Sequence, residues 1–282
     1  MKSWIYSVDD YYDLYKLEND NWTELHRSRC PSNLIPSDPH HTECELKWIA
    51  GDYEQRYEEN IDWIVENNWH EQDIKYIFNK QGFRDFNTNS DITKETGGVL
   101  YLGCSVVFGV GLNIDQTFSW LAHNQLFPDK RYLNFGLIGC GVDTFYRIFK
   151  SYYDVVKPDI VIVSWPWAHL RTEVFNMETD KWNNINLNRL EPNKNISTEH
   201  TDIKYLNLFV PEVSVLRYCK NLEAIQWICH KGSSKFVLFD KMISENTRNV
   251  ERFDYARDKN HPGPMQHSFF SEQLIEIINE TI

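Results

Sequence analysis

The sequence of 282 residues lacks long hydrophobic runs. No stretch approaches the ~18 consecutive apolar residues that a membrane-spanning helix needs. The N-terminus, MKSWIYSVDDYYDLYKLEND, mixes aromatic and acidic residues and has no uninterrupted apolar core of the signal-peptide type. These absences predict a protein without a signal peptide or transmembrane segment, located in the cytoplasm or associated with a virus particle.

Basic residues are also few relative to acidic ones. Lys and Arg total 29 against 41 Asp and Glu, which gives a formal net charge of −12. A surface of this charge repels phosphate backbones and anionic lipid headgroups. The composition therefore argues against nucleic-acid binding and against docking on a membrane.

Cysteine pairs of the CxxC type are missing. The six cysteines are scattered along the chain, which is typical of free thiols in a reducing compartment. One cluster, Cys30, His40, His41 and Cys44, has the residue types that bind zinc, but its spacing fits no standard finger. We interpret this Pro- and Ser-rich segment as a turn-rich loop and predict no metal and no cofactor; a zinc site is the alternative.

Hydrophobic residues (41%) and charged residues (25%) are present in globular proportions, and aromatic residues reach 15%. Residues 1–95 are predicted to form an N-terminal extension: an irregular segment to about residue 45, a helix over 45–68 and a short strand over 74–78. The core of this extension is thin for an independent domain. The extension is the candidate surface for oligomerisation.

Residues 96–282 are predicted to form one α/β domain. Buried strands are predicted over residues 99–102, 131–135, 159–164 and 235–239, alternating with helices over 118–126, 145–156 and 213–230 and a C-terminal helix. Strand and helix units in this order favour a doubly wound parallel sheet. Residues 172–202, which are polar and rich in asparagine, are predicted to form an insertion or lid loop.

Ser105 is the first candidate for chemistry. It follows the first buried strand of this domain, in GGVLYLGCSVVFGVG, at the sheet edge where open α/β folds bind their ligands. A serine hydroxyl is a weak nucleophile that needs an adjacent base. A serine that only caps a turn is the alternative.

His261 is the candidate base among ten histidines, because Asp258 precedes it by three residues in the loop DKNHPG. This spacing allows the carboxylate to bond to the imidazole nitrogen that faces away from the serine, which fixes the tautomer. His267 is a second candidate base, and a structural turn with an exposed histidine is the alternative. The backbone N–H groups of Ser105 and Gly139 are candidate donors to an oxyanion.

Three short blocks resemble the ordered blocks of the SGNH (GDSL-type) hydrolases: GCS with FG at residues 103–109, NFGLIG at 134–139 and DKNHP at 258–262. The resemblance covers about residues 97–282, and FNKQGFRDF at 78–86 resembles the lead-in to the serine block of some members. It implies a flavodoxin-like, three-layer α/β/α sandwich and serine esterase activity on acyl esters, often acetyl groups on carbohydrate. It also implies Ser105 as nucleophile, His261 as base, Asp258 as its orienter and Gly139 as an oxyanion donor.

The sequence departs from the family pattern at two places. Cys104 replaces the usual aspartate before the serine, and SWPWAHLR at 164–171 replaces the third block, whose asparagine donates to the oxyanion. Loss of one such donor typically costs about 10²–10³ in turnover. The candidates for replacing that donor, or for binding substrate, are Trp165, Trp167, His169 and Arg171. Core packing of the tryptophans and a surface ion pair of Arg171 are the alternatives.

The sequence as a whole predicts a cofactor-independent serine esterase whose substrate is a small-molecule or glycan ester, with carbohydrate O-acetyl esters preferred. Two alternatives stay open. One is a catalytically inactive binding or structural protein on the same fold, such as a component of a virus particle. The other is an acyltransferase on the same scaffold.

Overall fold

Short elements make up the part of the extension that the structure describes. The computed structural model describes residues 43–164, 171–176, 181–186, 211–239 and 253–282. In the extension it contains strand β1 (Cys44–Leu46), helices α1 (Glu54–Glu59) and α2 (Ile61–Glu66), and strand β2 (Tyr76–Phe78). Strands β1 and β2 pair antiparallel.

The single helix predicted over residues 45–68 is wrong, although the strand predicted near residues 74–78 is confirmed. A tight turn in which Ile49 and Asp52 pair separates β1 from the helices. Gly51 in this turn has a φ of +95°, a value that L-residues rarely adopt and that a helix excludes. Asn60 then separates α1 from α2.

A four-stranded parallel sheet follows. Its strands are β3 (Val99–Gly103), β4 (Tyr132–Gly136), β5 (Ile160–Ser164) and, after a separate hairpin of β6 (Arg171–Asn176) and β7 (Lys181–Asn186), β8 (Lys235–Leu238). The order across the sheet is β4–β3–β5–β8, and every pair is parallel. In chain order this is 2-1-3-4, the beginning of the flavodoxin-like order. The predicted parallel α/β sheet is confirmed.

Helices cover both faces of this sheet. They are α3 (Ser105–Phe108), α4 (Phe118–Leu126), α5 (Val142–Val156), α6 (Pro211–Lys231) and α7 (Pro264–Thr281). Leu100 and Leu102 of β3 share a core with α5 and α6, whereas Val99 and Tyr101 share a second core with α4 and α7. Since successive strand residues point to opposite faces, both faces are apolar and the three-layer arrangement results.

The extension contributes to the core on the α5 and α6 side of the sheet. Phe83 stacks on Phe135 of β4 with ring centroids 4.0 Å apart, and Tyr76 and Phe78 both lie against Phe108. The domain boundary near residue 95 stays a prediction. In the described part of the chain, the two sides of that boundary share one hydrophobic core.

The predicted lid loop over residues 172–202 contains regular structure, so that prediction is wrong in its first half. Strands β6 and β7 pair antiparallel, with Arg171 opposite Asn186 and Asn176 opposite Lys181. Polar, asparagine-rich strands carry no apolar alternation, which explains why the pattern missed them. Residues 187–202 lie outside the described part. Among the described residues, no helix is long and apolar enough to span a bilayer.

Candidate active site

Ser105 is the first residue of α3 and follows β3 after the single residue Cys104. Asn134 of β4 ties α3 to the sheet, because its Nδ2 donates to the carbonyl of Val107 at 3.0 Å. Gly136 permits the close approach: a Cβ there would lie 2.2 Å from the backbone nitrogen of Phe108. The sheet edge therefore holds the nucleophile candidate in a rigid position.

His261 and Asp258 come from the loop before α7 and meet Ser105 across 156 positions of sequence. The Nε2 atom of His261 lies 2.9 Å from Ser105 Oγ, and its Nδ1 atom lies 2.6 Å from Asp258 Oδ2. The other carboxylate oxygen of Asp258 accepts from the backbone N–H groups of His261 and Asn260, at 3.0 and 3.2 Å. Because a carboxylate only accepts hydrogen bonds, Nδ1 carries the proton and Nε2 is free to accept from the serine hydroxyl.

Solvent access differs among these three groups. The side chain of Asp258 is fully buried, whereas 16% of the His261 side chain is exposed. Ser105 is 9% exposed. The Asp258 end of this hydrogen-bond chain is therefore closed to solvent, whereas His261 and Ser105 both retain some exposure.

His267, the second candidate base, serves another purpose in the structure. It is buried in the first turn of α7, where its Nδ1 accepts from the backbone N–H of Phe118 at 2.9 Å. Burial, helped by the nearby charges of His261 and Arg84, lowers the pKa of His267 to about 3. A neutral imidazole tied to the start of α4 is a structural histidine.

The two candidate oxyanion donors are backbone N–H groups. Ser105 begins a helix, so its N–H lacks an intrahelical acceptor. Gly139 has a φ of +71°, and the position of its missing Cβ faces open space. Neither N–H donates to an acceptor within the described ranges.

The side chains of the four predicted substrate-binding residues lie outside the described part of the chain. Trp165, Trp167 and His169 lie outside the described residues, and only the backbone of Arg171, in β6, is described. Of the possible zinc cluster, Cys30, His40 and His41 also lie outside. Cys44 is half-buried in β1, and no group of metal-binding side chains occurs within the described ranges.

Sequence reasoning missed the buried charges behind this site. Arg84 of the extension donates to the carbonyls of Phe108 and Gly109, at 2.6 and 2.5 Å, at the C-terminal end of α3. Arg257, next to Asp258, forms an ion pair with Asp52, and both side chains are 2% exposed. Arg84 lies within the lead-in segment at 78–86 and Arg257 lies beside Asp258, but no sequence signal shows what either residue binds, because their partners are far away in the chain.

Comparisons with known proteins were made by sequence and by structure. Neither a protein-family model nor a curated protein sequence matches the chain. Solved structures do match, among them a member of the lipolytic protein G-D-S-L family from Veillonella parvula, with 11% identity, a TM-score of 0.34, and coverage of 65% of this chain and 99% of that one.

Two further matches are described as esterases. The psychrotrophic esterase EstA from a Pseudoalteromonas species has 11% identity and a TM-score of 0.35, with 64% of this chain and 96% of that chain covered. A carbohydrate acetylesterase family member from Sinorhizobium meliloti has 10% identity and a TM-score of 0.32, with 66% and 98% covered. The chain is identical to these proteins at about a tenth of the aligned positions.

Proposed function

We propose that this protein is a serine hydrolase of acyl esters, with Ser105 as nucleophile, His261 as general base and acid, and Asp258 as the group that orients His261. The observation that carries the proposal is the continuous hydrogen-bond chain Ser105–His261–Asp258, at 2.9 and 2.6 Å. A serine, an imidazole and a buried carboxylate in this order are the groups that acyl transfer requires.

The reaction proceeds in two displacements. Ser105 Oγ attacks the ester carbonyl carbon while Nε2 of His261 takes the hydroxyl proton, and the N–H groups of Ser105 and Gly139 stabilise the resulting oxyanion. The C–O bond to the alcohol breaks, and His261 protonates the departing alkoxide. Water then attacks the acyl-Ser105 ester and gives a proton to His261; the bond between the acyl carbon and Ser105 Oγ breaks, the acid leaves, and His261 returns the proton to Ser105 Oγ. Asp258 stabilises the imidazolium in both halves.

The proposed substrate class is an O-acetyl ester on carbohydrate. This choice rests on the family resemblance of the sequence and on the aromatic residues Trp165 and Trp167 after β5. Hydrolysis needs only groups that the chain supplies, so the proposed mechanism includes no metal ion or organic cofactor.

The test compares the wild-type protein with Ser105→Ala and with the control Ser268→Ala, a serine on the exposed side of α7. Turnover of p-nitrophenyl acetate is measured first, followed by acetate release from acetylated oligosaccharides. We expect Ser105→Ala to lower kcat by about 10⁴-fold or more, because no other group supplies the nucleophile. A fluorophosphonate should label the peptide that contains Ser105, and Ser268→Ala should behave as the wild type.

Equal rates for the wild type and Ser105→Ala would contradict the proposal. Absence of both turnover and labelling would favour the inactive binding protein instead. Product that forms only when an acceptor alcohol is supplied would favour an acyltransferase.

A further inference from the structure

A buried ion pair lies directly behind the His261 loop. Nε of Arg257 lies 3.2 Å from both carboxylate oxygens of Asp52, and its Nη2 lies 2.7 Å from Oδ2. The guanidinium also donates to the carbonyl of Lys47 at 2.9 Å and lies 4.4 Å from the ring centroid of Trp48. A forked arginine with this many partners has one orientation only, so the backbone of residue 257 is fixed relative to the extension.

The same carboxylate is linked to the serine loop through Tyr76. The Tyr76 hydroxyl donates to Asp52 Oδ2 and accepts from the backbone N–H of Gly111 at 2.8 Å. Burial and the negative charge of Asp52 raise the pKa of Tyr76 well above its ordinary value, so the hydroxyl keeps its proton. Gly111 belongs to the loop that follows Ser105 and α3.

A final hydrogen bond closes a ring. The backbone N–H of Arg257 donates to the carbonyl of Gly111 at 3.2 Å. The ring therefore runs from Gly111 through Tyr76, Asp52 and Arg257 back to Gly111, and it joins the extension, the serine loop and the His261 loop. The two loops touch closely, since a Cβ on Gly111 would lie 2.7 Å from Ala256 Cβ and 3.2 Å from the Asp258 nitrogen.

The turn that carries Asp52 also touches the imidazole. The position of a Cβ on Gly51 is 3.8 Å from Cε1 of His261, so this turn packs against the His261 imidazole. Lys259, two residues before His261, lies 5.6 Å from the ring centroid of Trp63 in α2. The extension thus contacts the His261 loop at several points.

We propose that Asp52, Tyr76 and Arg257 are positioning residues, and that their hydrogen-bonded ring holds His261 at bonding distance from Ser105. This inference rests on the proposed function. None of the three touches the reacting atoms. They act by fixing the distance between the serine loop and the His261 loop. A misplacement of reacting groups by about 1 Å lowers the rate by about 10²-fold.

The experiment uses the full chain with Tyr76→Phe, which removes the hydroxyl that joins Gly111 to Asp52. The matched control is Tyr101→Phe, because Tyr101 is equally buried and its hydroxyl has no partner among the described residues. We expect Tyr76→Phe to lower kcat for p-nitrophenyl acetate by about ten-fold or more with KM unchanged, while Tyr101→Phe retains the wild-type kcat. Arg257→Lys keeps the charge but loses the fork, and should also lower kcat without raising KM.

A second readout follows the imidazole itself. The downfield proton resonance of His261 Nδ1–H, identified by its loss in His261→Gln, should shift or broaden in Tyr76→Phe and not in Tyr101→Phe. If Tyr76→Phe does not fold, Arg257→Lys is measured in its place. Folded ring variants with wild-type kcat and an unchanged resonance would overturn the inference.

The two proposals can fail separately. A wild-type protein that neither turns over esters nor reacts with fluorophosphonate at Ser105 contradicts the proposed function. In that case the His261 Nδ1–H resonance alone tests the positioning role of the hydrogen-bonded ring. A shift in Tyr76→Phe supports this role, and an unchanged resonance overturns it.

Discussion

His267 lies fully buried and neutral between α7 and the beginning of α4, which links the stability of the protein to pH. Its pKa falls from 6.5 to about 3 on folding, because burial disfavours the charged imidazole. The unfolded chain therefore binds more protons between these values than the folded one. The stabilising effect of the neutral form is complete above about pH 6.5 and is lost progressively as the pH falls toward about 3.

We expect His267→Asn to make the free energy of unfolding less dependent on pH in this range. The asparagine oxygen replaces Nδ1 as acceptor for the Phe118 N–H without adding a titrating group. The slope difference between the wild type and the variant should approach about 1.4 kcal/mol per pH unit, the value for one proton. Urea denaturation at several pH values measures it, with His70→Asn, at a partly exposed position, as the control. Parallel slopes for the wild type and His267→Asn would contradict the prediction.

Single elements show why local patterns predict some parts of this fold and miss others. The strand β3 is buried along its whole length, so its apolar run is visible in the sequence, and Asp258 and His261 are three residues apart in one loop. The predicted helix over residues 45–68 failed because spacing alone does not show that Gly51 turns the chain. Local sequence patterns do not predict the hydrogen-bonded ring behind the site, because Asp52 and Arg257 lie 205 positions apart and Asp52 resembles a surface acid.

The helix α7 depends on a cap that comes from outside it. Gly263, at its N-terminal boundary, offers no side chain, and Asp254 supplies the acceptors instead. Its Oδ2 accepts from the N–H of Met265 at 2.9 Å, and its Oδ1 accepts from that of Gln266 at 3.0 Å. One carboxylate thereby satisfies two of the free N–H groups at the positive end of the helix.

We expect Asp254→Ala to lower the free energy of unfolding by about 1–2 kcal/mol, because both N–H groups lose their acceptor. Asp254→Asn, which retains one acceptor but no charge, should cost less. Thermal and urea denaturation give the values. Ser268→Ala on the same helix is the control and should stay within about 0.5 kcal/mol of the wild type. A cost for Asp254→Ala no larger than the control value would show that the cap is dispensable.

At the scale of the whole molecule, residues 43–95 and the sheet form one core within the described part of the chain. The extension places large apolar side chains there that are at most 4% exposed, namely Ile49, Ile64, Trp69, Ile74, Tyr76, Phe78, Phe83 and Ile92. Each such side chain contributes about 1.5–3 kcal/mol when it is buried. Their sum is comparable with the about 5–15 kcal/mol by which a whole domain is stable. The sheet and the extension should therefore unfold together.

Phe83→Ala tests this cooperativity in the full-length protein. Phe83 is buried and stacks on Phe135 of β4 while also meeting Tyr152 of α5, so the truncation leaves a cavity between the extension and the sheet. We expect a loss of about 3–5 kcal/mol in the free energy of unfolding. Hydrogen exchange should show the same loss of protection in peptides from β2 and from β3. The control is Phe253→Ala at an exposed position, which should change the free energy of unfolding by no more than about 0.5 kcal/mol and leave protection in both peptides unchanged. Loss of protection in β2 with full protection retained in β3 would mean that the extension unfolds as a separate unit. The hydrogen-bonded ring through Asp52, Tyr76 and Arg257, which joins the extension to the His261 loop, would then break whenever the extension unfolds.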